Sequence, residues 1–203
     1  MALSIRNAYV LVDWDTARRC AWLTPTQRRR VELGGPSAQL SAVVSAIANC
    51  LSKLRKERLR VEVRIYHGWR RGNELTADHQ SLAGLPERRS AFSNNRILVA
   101  PPILSETLAC GGRYQELRDT LRRRENGDLE QKMVDTAIAA DLLYLARKRT
   151  GKNDADFIVL SEDDDMIPPV VVANEWGVSC KILRRRGPNR CMPLTRELLV
   201  DYS

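Results

Sequence analysis

Five short runs of aliphatic and β-branched residues, separated by stretches of helical periodicity, set the limits on what this chain can fold into. Residues 8–13 (AYVLVD), 61–66 (VEVRIY), 96–100 (RILVA), 156–161 (DFIVLS) and 179–183 (SCKIL) are each too short for a helix and too apolar for a loop, and read as buried strands. Between the first two, Gly35-Pro36-Ser37 is a helix start signal, and Leu40, Val44, Ile47, Leu51 and Leu54 fall on one apolar stripe. A second helix is expected over about 134–147. A third should follow Asp165 and run through Trp176, with Gly177 supplying the C-terminal stop. Strands that alternate with helices fold as an α/β protein, with a mostly parallel sheet covered by helices. Ligands of such sheets bind at the carboxyl ends of the strands, where the strand order reverses. The residues just after each apolar run are therefore the ones to inspect.

Composition narrows the class. The chain has 203 residues, 43% apolar and 29% charged, with 33 basic residues against 25 acidic ones and a formal net charge of +8. This is enough chain for a sizeable core, with no linker or repeat to divide it, so residues 1–203 are expected to form a single domain. No apolar run approaches the roughly 18 residues of a membrane helix. Arg6, Asp13 and Asp15 interrupt the start, where a signal peptide would keep an uncharged apolar core. A cytoplasmic location without membrane contact is the expectation. Five scattered cysteines with no C-x-x-C pair suggest neither a zinc site nor a disulfide framework. Residues 17–35 and 68–95 are polar and Arg-rich and read as loops or small helical insertions over the site.

The charge is uneven. Residues 129–170 hold five basic and nine acidic residues, a net of −4 inside a basic chain. The first strand ends in Asp13-Trp14-Asp15-Thr16, the fourth in Ser161-Glu162-Asp163-Asp164-Asp165, and Asp135 opens the helix between them, which also carries Asp141. In a parallel sheet the two strand ends share an edge. Carboxylates gathered there repel one another and lose solvation, and a divalent cation is the most direct neutraliser. Oxygen ligands without His or Cys suit Mg²⁺ or Mn²⁺, which commonly bridge carboxylates to phosphate. The alternative is that these acids, and Ser161, cap the helices that follow them. Asp141 has only Ala137, Ile138, Tyr144 and Leu145 at helical neighbour positions, so no cation on its own helix pairs with it. It lies about 120° around the helix from Asp135. Asp135 is therefore expected as a ligand or base and Asp141 as a supporting group or outer ligand.

These motifs resemble the NYN family of PIN-like metal-dependent ribonucleases. The first strand with Asp13 is similar to that family's opening acid. Lys132-Met133-Val134-Asp135 with Ala139-Ala140-Asp141-Leu142 resembles its K-x-V-D-x-x-x-x-x-D helix, and Ser161-Glu162-Asp163-Asp164-Asp165-Met166-Ile167-Pro168 its S-x-D-x-D-x-x-P signature. The likeness covers about 8–16 and 130–183. It implies a PIN-like three-layer α/β/α sandwich that hydrolyses RNA phosphodiester bonds with Mg²⁺ or Mn²⁺. It assigns the metal and the catalysis to Asp13, Asp135, Asp163 and Asp165, with Asp141, Ser161 and Thr16 in support. Trp14 stands where the family has glycine, Thr16 where it has asparagine, and Glu162 where glycine is common.

RNA contacts are expected from Arg18 and Arg19, which follow the opening acid, and from Arg184, Arg185 and Arg186, which follow the last apolar strand. Trp14, Trp22 and Trp69 are placed either to stack on unpaired bases or to pack in the core. Three other readings stand beside the nuclease. One is a degenerate PIN-like module that only binds RNA or protein. Another is a haloacid-dehalogenase-type phosphatase, whose D-x-D motif Asp13-Trp14-Asp15 mimics, although Ser161 abuts the acids where such an enzyme has a Ser/Thr strand and a lysine before them. The last is a metal-free mechanism using His67 and His79, which nothing in the sequence orders relative to each other. Homo-oligomer formation is left open.

Overall fold

β1 (Ile5–Asp13) is the strand on which the molecule is organised, because it is hydrogen-bonded on both sides. It pairs in parallel with β2 (Arg58–Tyr66) from Ile5↔Arg58 to Asp13↔Tyr66, and with β9 (Ala155–Leu160) from Asn7↔Ala155 to Val12↔Leu160. The computed structural model describes residues 5–84, 96–110, 121–123, 125, 127, 129–184 and 199–201. Beyond β9 come β10 (Ser179–Arg184) and β11 (Leu199–Asp201). Beyond β2 come β5 (Ile97–Val99) and β6 (Ile103–Leu104), and every pairing in this seven-stranded sheet is parallel. The chain is an α/β protein.

Successive side chains of a strand point to opposite faces. Ala8, Val10 and Val12 of β1 face α3 (Gly35–Leu54), where they meet Val43, Val44, Ile47 and Leu51 in one core. Leu11 faces the other side and packs with Ile138 and Leu142 of α5 (Val134–Arg147) and Val170 and Ala173 of α6 (Ile167–Glu175). Helices thus cover both faces. Ile47 is fully buried between α3 and the sheet, and its truncation to Ala would cost about 2–5 kcal/mol.

All five expected strands and all three expected helices form, with strand ends moved by one to three residues. Gly177 ends α6 with φ of +75°, the left-handed geometry that a helix stop of this kind requires. The Arg-rich stretch at 17–35 holds α2 (Pro25–Leu33), opened by a Thr24–Gln27 capping box. The stretch at 68–95 holds β3 (Arg70–Arg71), β4 (Glu74–Leu75) and α4 (Ala77–Ala83), and residues 85–95 lie outside the described residues. β3 and β4 join β7 (Leu121–Arg123) and β8 (Leu129–Gln131) in a second, antiparallel sheet in the order β4-β3-β8-β7. Strands of two or three residues show no alternation, so the sequence carries no sign of this sheet. No described helix is long and apolar enough to cross a membrane.

Candidate active site

The order of the main sheet reverses at β1. The chain moves from β1 to β2 and β5 on one side, then returns to β9 and β10 on the other. The carboxyl ends of β1 and β9 therefore lie side by side and carry Asp13 and Ser161. Asp13 is buried, and its two oxygens are committed. Oδ1 accepts the Asp15 N–H at 3.0 Å as α1 (Trp14–Ala17) begins. Oδ2 accepts the Thr16 hydroxyl at 2.5 Å and the Ser161 hydroxyl at 3.4 Å. Each hydroxyl also accepts a backbone N–H from the loop after β9: Thr16 Oγ1 from Glu162 at 3.5 Å and Ser161 Oγ from Asp163 at 3.1 Å. Thr16 and Ser161 thus fix one carboxylate between two strand ends.

Asp13, Asp135 and Asp163 border one cleft of about 1100 Å³ between this edge and the antiparallel sheet. Asp135 enters from the first turn of α5, whose N-cap Met133 holds a left-handed backbone (φ +66°). Burial raises the Asp135 pKa, and the charges of Asp13, Asp163 and Asp165 raise it further. The four acids proposed from sequence are therefore electrostatic neighbours. Asp163 is exposed and caps a 3₁₀ turn (Asp164–Met166), its Oδ1 accepting the Asp165 N–H at 2.9 Å. Asp165 is also exposed and does not border the cleft. Among the described residues, no three His, Cys, Asp or Glu side chains are grouped tightly enough to hold a metal ion by themselves.

Two expectations are corrected by the placement of the side chains. Asp141 is not beside the other acids: it is fully buried in the core between α5 and the sheet. There it accepts the Tyr66 hydroxyl and the Ala109 N–H, both at 2.6 Å, with Arg64 3.9 Å away. Burial raises its pKa against those partners. Its role is to anchor the end of β2. Arg184, expected to meet RNA, is buried at 6% exposure and ion-paired with Asp164, so it braces the 3₁₀ turn. Arg185 and Arg186 lie outside the described residues. Arg18 and Arg19 do border the cleft, although Arg18 is engaged by Asp15 at 2.7 Å and Asp78 at 3.2 Å. Trp14 and Trp69 are buried and Trp22 packs against the core, which removes Trp14 and Trp69 as stacking platforms.

Of the two histidines considered from sequence, one lies beside the acids. His67, one residue past the end of β2, borders the cleft with Nδ1 3.1 Å from Asp15 Oδ2. Asp15 is held below the usual carboxylate range by that bond, with Arg18 and Arg19 adding to it against burial. The signal was present, since His67 follows an apolar strand as Asp13 does. His79 is elsewhere: buried on α4, it lies 2.8 Å from Glu106 Oε1, so the two histidines do not face one substrate position. Gly68 passes so close to β8 that a Cβ there would stand 3.2 Å from the Gln131 carbonyl oxygen, and this approach sets the small sheet against the cleft. Arg70 and Arg71 on β3, with Lys132 before α5, give the cleft a basic border. Compared with family models, curated proteins and solved structures, the chain matches none.

Proposed function

We propose that this chain is a PIN-like, NYN-type ribonuclease that hydrolyses RNA phosphodiester bonds with the help of Mg²⁺ or Mn²⁺. The observation that carries the reading is the convergence of Asp13, Asp135 and Asp163 on one cleft at the point where the strand order reverses.

The donor set fits the ion. Asp13, Asp135, Asp163 and Asp165 offer hard carboxylate oxygens only, and Asp135, whose pKa burial raises and three neighbouring carboxylates raise further, carries a charge that a cation would relieve. Among the described residues no three of them are grouped tightly enough to hold an ion unaided, so waters and substrate phosphate would have to complete its shell, as Mg²⁺ allows. Bound there, the ion would supply charge stabilisation at phosphorus and a more acidic water. Asp13 contributes a carboxylate whose orientation is set by Thr16 and Ser161. Arg19, Arg70, Arg71 and Lys132 on the cleft border would hold the phosphates that flank the scissile one.

Labelled single-stranded RNA incubated with Mg²⁺ or Mn²⁺, with and without EDTA, tests this beside Asp13→Asn and Asp163→Ala. Cleavage that needs the ion and is lost in both variants supports it. Metal-independent cleavage, or unchanged cleavage in both variants, sinks it. The ungrouped acids favour one second reading, a relative that binds RNA without cutting it, for which retained binding with no cleavage in any arm is the signature. Rapid hydrolysis of a small phosphomonoester would point to a phosphatase instead.

A further inference from the structure

A second polar assembly stands beside the acids, and the metal-assisted hydrolysis proposed for them does not use it. In the β1–β2 register Asp13 is level with Tyr66, so His67 emerges one residue beyond the opening acid on the adjacent strand. Neighbouring strands are about 4.8 Å apart. The imidazole is tied down through a chain of partners: Nδ1 to Asp15 Oδ2 at 3.1 Å, Arg18 Nη2 to Asp15 Oδ1 at 2.7 Å, and Arg18 Nη1 to Asp78 Oδ2 at 3.2 Å. Asp78 Oδ2 also accepts the indole N–H of the fully buried Trp14 at 3.1 Å, which roots the chain in the core. The Trp69 ring meets the imidazole edge-on at 5.1 Å and restricts its rotation. With Nδ1 donating to a carboxylate, Nε2 is the nitrogen left to exchange protons. Among the described residues Nε2 has no hydrogen-bond partner, and the ring borders the same cleft as Asp13 and Asp135.

We propose that His67, oriented by Asp15, is the general acid of this cleft and protonates the ribose oxygen that leaves phosphorus. The inference rests on the ribonuclease reading. In the step, a water oxygen bonds to phosphorus while the bond from phosphorus to the bridging ribose oxygen breaks. That oxygen takes the Nε2 proton of the doubly protonated ring, which leaves a neutral ring with its proton on Nδ1 toward Asp15; the attacking water loses a proton to solvent, and His67 regains its own from solvent afterwards. Imidazole suits the task because one ring nitrogen can give up a proton while the other stays bonded to its carboxylate. Among the charged groups that share the cleft with the ring are Asp13 at the end of β1, Asp15 on α1 and Arg18 just after it, Arg70 from β3, Lys132 before α5 and Asp135 in its first turn.

His67→Gln and His67→Ala should slow single-turnover cleavage of RNA by about 10²–10⁴-fold, the range of a lost general acid, with RNA affinity within about twofold of wild type. The decisive substrate carries sulfur in place of the leaving bridging oxygen, whose position is read from the ends of the wild-type products. A thiolate leaves without a proton, so both His67 variants should recover to near the wild-type rate, while Asp135→Asn stays slow on both substrates. Nitrogen-15 NMR of the histidine ring, which does not depend on turnover, should show the proton on Nδ1 in wild type and lose that preference in Asp15→Asn. Wild-type protein that cleaves while His67→Gln keeps its rate, or is slowed equally on the sulfur substrate, overturns this inference alone. An Nε2-protonated neutral ring in wild type also overturns it. No cleavage by wild type with either ion overturns the ribonuclease reading and this inference with it.

Discussion

At the amino edge of the main sheet, Asp156 accepts Arg6 Nε at 2.7 Å and Arg55 Nη2 at 2.6 Å. Burial opposes its charge, but bonds from the two guanidiniums hold its pKa below the usual range. At the carboxyl edge of the same sheet, Asp135 is raised by burial and by three like charges. One strand, β9, begins with the first kind of acid and leads into the second. An acid buried for stability brings its guanidiniums with it. Acids that converge with their repulsion unrelieved lower the stability of the fold and create a place where a mobile cation is worth binding.

The comparison can be broken in several ways, and the largest effect should come from Asp13→Asn. Cleavage with Mn²⁺ should fall about 10³-fold, roughly 4 kcal/mol of barrier, with little change in the urea midpoint. A variant that cuts like wild type would make the carboxyl edge as structural as the amino edge. Asp156→Ala should do the reverse. It leaves Arg6 and Arg55 facing an empty partner and should lower stability by about 3 kcal/mol, read from the urea midpoint at unchanged slope, with cleavage kept. Mn²⁺ at 100 times its dissociation constant should then stabilise wild type and Asp156→Ala alike by about 2.7 kcal/mol in a thermal or urea melt, and Asp13→Asn much less.

The smallest effect sharpens the contrast through its sign. The folded pKa of Asp156 is below its ordinary 3.8, so its contribution is complete above that value and is lost as pH falls through the lower folded one. The folded pKa of Asp135 is above 3.8, so its contribution favours folding at low pH and is lost as pH rises through the higher folded value. In EDTA at neutral pH, Asp135→Asn should therefore raise the urea midpoint slightly. Urea midpoints measured from pH 7 to pH 3 should fall less steeply for Asp156→Asn than for wild type.

Much of this was legible in the chain. Aliphatic runs of five or six residues and a five-residue apolar stripe declare strands and a helix locally, and the rule for parallel sheets then points to Asp13, Asp135 and Asp163. What failed needed three dimensions. Asp141 has no partner on its own helix, and its partners, Tyr66 and the Ala109 N–H, come from distant segments, so the sequence does not separate a supporting role at the site from a structural one. Arg184 sits after an apolar strand as a substrate contact would, yet Asp164 lies within its reach. The Asp15–His67 pair was hidden because 52 residues separate two side chains that adjacent strands bring together.

The reversal of strand order at β1 also sets when the cleft can exist. Asp13 and His67 lie in the first third of the chain, whereas Asp135, Ser161 and Asp163 come from its second half. Contacts of such long sequence separation close late, because the intervening loop entropy is lost before the contacts compensate for it. Until β9 pairs with β1, Asp13 lacks its Ser161 donor. Only when β9 docks along β1 do both hydroxyls reach that carboxylate, so completing the cleft reports that both halves of the sheet have folded onto the same strand.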